Sequence, residues 1–189
     1  MLSVLLPAAA LLSLERIFYV WVSNDPDRFS ARFAGSRHAP TDVLRWWFYG
    51  FKALQLGVFA GWLAAVAGAD FWRPSPDRVA LGLGLVVLGL GQLLNLLVFT
   101  RLGRVGVFYG RHFGHDVVWC RRFPFSVLRH PQYVGAVLSI WGLFLAMRYP
   151  HPDWLLIPWL ESIYYFCATF LEHEPAGDAD ESEAIAKLR

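Results

Sequence analysis

The side chains able to do chemistry gather in two stretches. The first, Arg101–Gly135, reads RLGRVGVFYGRHFGHDVVWCRRFPFSVLRHPQYVG and carries His112, His115, Asp116, Arg129, His130 and Tyr133. The second, Leu171-Glu172-His173-Glu174-Pro175, closes the last apolar run. Imidazole, carboxylate and phenol are groups that give and take protons in enzyme sites, and arginine presents a fork of donors to carboxylate or phosphate. Sequence alone does not pick the base among the histidines, Asp116 and Tyr133, and for His112 and His115 a surface or packing role is the alternative. Gly103, Gly106, Gly110 and Gly114 recur at spacings of three and four, which brings backbone close to a neighbouring helix or a ligand on one helix face. Metal chemistry is not indicated, because Cys120 and Cys167 lie apart with no CxxC and no second ligand beside either. Gly82, Gly84, Gly89 and Gly91 do not make a nucleotide loop. Position 87 is valine, so GxGxxG fails, and these glycines read as close helix–helix contacts.

The elements that must position these residues are apolar helices. The 189-residue chain is 56% hydrophobic with a mean hydropathy of +0.40, well above a soluble domain. A hydrocarbon layer about 30 Å thick takes about 20 apolar residues per helix. Runs of that kind cover Leu44–Ala69, Val79–Thr100, Tyr133–Met147 (short by this measure) and Trp154–Leu171. Leu2–Val22 is a fifth candidate interrupted by Glu15 and Arg16. The runs are continuous rather than alternating, which excludes a β-barrel. The expected fold is therefore all-α, a polytopic transmembrane bundle of four to five spans without a Rossmann domain. It forms one integral membrane domain over 1–189, with its motifs in 101–175. A cleaved signal peptide is not expected, since the N-terminus lacks a basic n-region.

Arg28, Arg32, Arg37, Arg45, Arg101, Arg104, Arg111, Arg121, Arg122, Arg129, Lys187 and Arg189 fall on one side of these runs; Arg73, Arg78 and Arg148 fall on the other. The positive-inside rule makes the first side cytoplasmic, and with it the C-terminus and both chemistry-bearing stretches. Arginines dispersed beside apolar spans fit topology rather than a phosphate track, so nucleic acid is not an expected partner. Trp21, Trp46, Trp47, Tyr49, Trp72, Tyr149 and Trp154 near the run ends read as headgroup-level anchors. Gln92 and Asn95 would face the bundle interior, as packing hydrogen bonds or as pocket lining. The tail from Ala176 is acidic and lacks aromatics, a composition that predicts mobility.

Leu102-Gly103-x-x-Gly106-x-Phe108-x-Gly110-x-x-Phe113-Gly114, then Phe123-Pro124-Phe125, then Pro131-x-Tyr133-x-Gly135, resembles the core of the membrane phosphatidylethanolamine N-methyltransferases. Arg129-His130-Pro131-Gln132-Tyr133-Val134-Gly135 is also similar to a stretch of the isoprenylcysteine carboxyl methyltransferases, of the same superfamily. The resemblance implies a small helical membrane enzyme that takes methyl groups from S-adenosylmethionine and passes them to a lipid in the bilayer. It also implies a glutamate pair before a proline that binds the donor. Here Glu174 matches the second acid, His173 stands in the first place, and Glu172 lies one residue early. Gly103, Gly106, Gly110, Gly114, Arg129, His130, His173 and Glu174 are thus the expected donor-binding residues, and His130 and Tyr133 the expected catalytic ones.

In-line methyl transfer needs donor and acceptor held close, aligned and dry, and no metal. The leading expectation is N-methylation of phosphatidylethanolamine or its monomethyl form. Methylation of a carboxylate or thiol on an isoprenoid substrate, and a non-catalytic membrane protein of the same fold, are the alternatives. Glu161 lies within the last apolar run, where a carboxylate is expensive. It is expected to be functional, protonated, or paired with Arg16 or Lys52. Glu15–Arg16 reads as an interhelix pair or as part of a site.

Overall fold

The computed structural model describes residues 1–34, 36, 39–117, 120 and 122–172. They form six α-helices and no strand among them: α1 Leu2–Asn24, α2 Pro26–Ala31, α3 Pro40–Ala67, α4 Arg78–Val107, α5 Pro131–Arg148 and α6 Leu156–Leu171. Arg37, Arg121, His173, Glu174, Lys187, Arg189 and the acidic tail lie outside the described residues.

Local chemistry sets the helix starts. Proline stands at the first position of α2, α3 and α5, where its missing N–H breaks no helical bond. Asp77 caps α4 by accepting from Val79 N at 2.8 Å and Ala80 N at 3.2 Å, which satisfies two otherwise orphaned donors. Three helical segments, Leu2–Asn24, Pro40–Ala67 and Arg78–Phe113, are long and apolar enough to cross a membrane, and α6 is a shorter apolar helix. The first run, doubtful in sequence for its Glu15–Arg16, is thus one of the three long apolar helices. The reason is that both charged side chains turn inward and are buried, at 4% and 8% exposure. Lipid-type side chains such as Leu6, Leu14 and Ile17 cover the outside instead.

The supposed loop from Arg101 is partly helix. α4 continues to Val107 across a kink at Gly103, whose φ of 67° is left-handed, and a single 3₁₀ turn covers Gly110–Phe113. The α4–α5 pairing is the tightest in the bundle and depends on two glycines from each helix. A methyl group on Gly84 would stand 2.6 Å from Ala146 N, one on Gly91 would stand 2.6 Å from Gly135 O, and one on Gly142 would strike Leu88 N. Gly82 and Gly89 meet nothing within 4 Å. Half of the glycine stripe read from sequence is therefore a packing surface and half faces outward. Gln92 does both of the expected jobs, and Asn95 lines the pocket. Gln92 donates to Ser139 Oγ at 2.9 Å, and both line the cavity described below.

α3 packs along α1 and α4 along α5, while α6 touches α1 and α5. Two apolar clusters close this arrangement. One, around Phe59, Trp62, Phe144 and Ile157, fills the half of the bundle toward residues 68–77 and 148–155. The other, around Tyr19, Phe29, Leu44 and Phe108, fills the opposite end. Between them the bundle is hollow.

Candidate active site

The hollow is a chamber of about 1270 Å³ bounded by α1, α3, α4, α5, the turn after α4 and the end of α6. Pockets for a single drug-sized ligand run about 300–1,000 Å³, so this one has room for more than one small ligand. Arg101–Gly135, the stretch singled out by its residue types, supplies one wall: Leu102, Gly106, Tyr109, His112, Phe125, Arg129, His130 and Tyr133 all line it.

Phenylalanines hold that wall in place. Phe108 is 2% exposed and meets the rings of Phe48 and Phe99 at 5.5 and 6.0 Å, while Phe113 stacks on Phe29 at 5.7 Å. The glycines between them have different tasks. Gly103 and Gly114 take left-handed backbone, at φ 67° and 75°, which side chains resist. Gly110 presses against the Val105 carbonyl, where a Cβ would stand 2.6 Å from the oxygen. Of the four, only Gly106 lines the chamber. They therefore shape a turn rather than share one helix face. The helical spacing was legible, but the kink at Gly103 that breaks the face was not.

That turn forces one non-glycine residue into left-handed backbone. Tyr109 has φ 53° and ψ 32°, a conformation that costs on the order of 1–3 kcal/mol and clusters at functional sites. Its hydroxyl donates to Glu172 Oε2 at 2.7 Å. Tyr133 donates to the same oxygen. Glu172 is the C-cap of α6, so the two ends of the motif-bearing region meet at one carboxylate. Its other oxygen, Oε1, is buried without a hydrogen-bond partner among the described residues, as are the Tyr19 hydroxyl and Asn95 Oδ1. All three residues line the chamber. Buried polar atoms are seldom left unpaired, and here three such atoms share one cavity.

His130 is the N-cap of α5, and its ring lies nearly parallel to that of Tyr133, 5.7 Å away. Arg129 is exposed at the rim. His112 packs edge-on against Tyr109 at 4.8 Å. His115 and Asp116 are exposed and do not line the chamber. The Phe123-Pro124-Phe125 block forms a tight turn, with Val127 N and Leu128 N both bonded to Pro124 O at 3.1 and 2.9 Å, and it turns Phe125 inward.

The opposite wall comes from α1, α3 and α6. Arg16 Nη2 lies 2.6 Å from Glu15 Oε1, and Lys52 Nζ 3.0 Å from the same oxygen. Lys52 also donates to Gln55 Oε1 at 2.9 Å, and Gln55 donates in turn to Glu161 Oε1 at 2.8 Å. The Arg16 guanidinium sits over the Tyr165 ring at 4.2 Å and within 5.7 Å of the Tyr133 ring. Among the described residues, Glu161 is thus paired through an amide rather than directly with a cation. Lys52, Gln55, Tyr109 and Tyr165 were not among the expected site residues, and Arg16 was expected either in a site or in an interhelix pair. Two of them left a sequence signal, since Arg16 and Lys52 are charges inside apolar runs. The tyrosines left none, because a tyrosine near a span end reads first as an interface anchor.

A family model for phospholipid methyltransferases matches residues 78–175, just over half of the chain. The chain belongs to the phospholipid methyltransferase family. It is 38% identical over 123 residues to the phosphatidyl-N-methylethanolamine N-methyltransferase of Arabidopsis thaliana, covering 65% of this chain and 68% of that relative. It is 37% identical over 91 residues to the phosphatidylethanolamine N-methyltransferase of Rattus norvegicus, covering 48% and 45% respectively, so it spans about half the length of that relative. It is 26% identical over 153 residues to phosphatidylethanolamine N-methyltransferase A of Dictyostelium discoideum. No solved structure matches. Membership makes the chain an integral membrane enzyme of methyl transfer to phospholipid and sets aside the non-catalytic alternative. The matched segment begins at the first residue of α4. Glu15, Arg16, Lys52 and Gln55 therefore lie ahead of it.

Proposed function

We propose that this chamber methylates the amine of phosphatidylethanolamine or of its monomethyl derivative, using S-adenosylmethionine, at the cytoplasmic face of the membrane, and that residues 1–189 work as one domain. The observation that carries the reading is Glu172. A carboxylate held by two tyrosines at the end of the family-matched segment opens into a cavity large enough for two ligands. The relatives' names supply the acceptor, and the arginine-rich connections supply the sidedness.

The donor supplies a methyl group made electrophilic by its sulfonium centre. The chamber's chemistry suits it. The donor carries an ammonium and hydroxyls that can donate, and Asn95 Oδ1 is a buried acceptor with no partner among the described residues. Arg129 and His130 at the rim offer a cationic edge for its carboxylate. Gly103, Gly106, Gly110 and Gly114 let the turn close tightly beside it, and His173 and Glu174 complete the donor set on family resemblance.

The chain's own residues do three things for the reaction. Tyr109 and Tyr133 fix one oxygen of Glu172, so the other faces the acceptor. Glu172 accepts the amine's proton, directly or through His130 beside Tyr133, freeing the nitrogen lone pair. The aromatic plug around Phe108 and Phe29 keeps bulk water from the reacting groups, so that no hydration shell competes with the alignment.

Expression in a host that makes no methylated phospholipid tests the proposal. A methylated ethanolamine lipid should appear on thin-layer chromatography and be absent with Glu172→Gln. Accumulation of a methylated isoprenoid instead, with no new phospholipid, would refute it.

A further inference from the structure

We propose that Arg16 and Lys52 form the receptor for the phosphodiester of the lipid acceptor, one aromatic ring away from Glu172. The inference rests on the phospholipid reading above and deepens it by assigning the part of the headgroup that does not react.

Charge is the first argument. Arg16 and Lys52 are two cations on a single carboxylate, Glu15, with Arg16 Nη2 2.6 Å and Lys52 Nζ 3.0 Å from Oε1 and Lys52 Nζ 3.1 Å from Oε2, so the three charges sum to one positive. Arg16 reaches Glu15 through one end of a five-donor guanidinium. The third contact of the Lys52 ammonium, to the Tyr165 hydroxyl, is stretched to 3.4 Å, beyond a good hydrogen bond. An excess cation inside an apolar bundle is costly, and an anion in the chamber removes that cost. The Tyr19 hydroxyl faces the same space, 7% exposed and without a hydrogen-bond partner among the described residues. It is a donor suited to a phosphate oxygen.

Order is the second argument. Moving inward from the α6 C-terminus, the lining changes from an acid, Glu172, past the Tyr133 ring, to the cations Arg16 and Lys52. Farther along α3 and α5 it becomes apolar, at Phe59 and Leu143. An ethanolamine phospholipid has the same order: ammonium, two carbons, phosphodiester, then acyl chains. The two carbons are matched by the single ring that stands between acid and guanidinium. Donor binding measured without lipid separates this occupant from the rival anion, the donor's carboxylate.

The test uses the purified full chain in detergent micelles with two acceptors. One is phosphatidyl-N-methylethanolamine. The other is a diacylglycerol ether that carries the same methylaminoethyl group without phosphate. Wild-type protein should favour the phosphodiester by about ten- to a hundredfold in kcat/KM, the range for hydrogen bonds to a charged group. Lys52→Gln should lose most of that preference, Lys52→Arg should keep it, and donor affinity measured by titration without lipid should be unchanged in both. Equal use of the two acceptors by wild-type protein overturns the inference, and this arm needs no variant to fold. Weaker donor binding in Lys52→Gln with the lipid preference intact also overturns it and gives the site to the donor's carboxylate. Equal loss with both acceptors reduces the cluster to a tie between α1 and α3. If wild-type protein binds donor but methylates neither lipid, the phospholipid reading itself falls, and this inference with it.

Discussion

Arg148 and Asp153 at one end of the bundle, and Arg16, Lys52 and Glu15 nearer the other, are both buried ion clusters, yet they are finished to different degrees. Asp153 is 1% exposed and takes both Arg148 donors, Nε to Oδ1 at 3.0 Å and Nη2 to Oδ2 at 3.1 Å, with His151 against Oδ1 as well. Beside it, Ser75 N bonds to Ala146 O at 2.8 Å and Ser75 Oγ to the Tyr149 carbonyl. Both carboxylate oxygens are used, and neither Arg148 nor Asp153 lines the chamber: the end is closed. The Arg16 cluster stands in the wall of an approximately 1270 Å³ chamber that also holds Tyr19, Asn95 and Glu172, each with one buried polar atom that lacks a partner among the described residues. A closed cluster offsets its desolvation within the protein and serves as a tie. An open one leaves part of that cost to be met by a ligand.

The comparison breaks most sharply at Glu172. Glu172→Gln should lower methyl incorporation from labelled donor by about 10²–10⁴-fold, the usual contribution of a positioned base, with little change in thermal stability. A fall in melting temperature matching the loss of activity would make Glu172 structural and erase the distinction. Asp153→Ala should do the opposite, removing about 3–5 kcal/mol of stability by leaving Arg148 buried and uncompensated. Activity per folded molecule should persist, so denaturant titration and methylation rate should part company. Gly142→Val comes next, at about 1–3 kcal/mol for overpacking the α4–α5 contact against Leu88. The same change at outward-facing Gly89 should cost much less, and equal losses would contradict the packing assigned to the two faces. The smallest expected effect is Gln92→Ala, about 0.6 kcal/mol for one interhelical hydrogen bond in a membrane. A larger loss confined to activity would move Gln92 from packing into the site.

Much of the helical plan was legible in the sequence because apolar length is a local property. Leu44–Ala69 corresponds to α3, Trp154–Leu171 to α6, and Val79–Thr100 to most of α4. The site was legible where residue types cluster along the chain. Gly106, Arg129, His130 and Tyr133 all line the chamber. It was not legible where the site is made by elements far apart in sequence. Glu172 looked misplaced by one residue against the family pattern, yet its carboxylate is the one that Tyr109 and Tyr133 hold. Tyr109 looked like one aromatic among many until its backbone proved left-handed.

The sequence by itself determined the solvent and the class of this protein. Hydropathy demands helices in lipid, since backbone groups there must bond within their own segment, and the spaced Gly, Phe, Pro and Tyr of 102–135 point to the methyltransferase family. Tertiary structure alone decided which way each charged side chain turns. Glu15, Arg16 and Lys52 could have been a nuisance to the spans that carry them. Packing α1 against α3 and α6 turned them inward around one space, because a charge in lipid is tolerated only where other polar groups meet it.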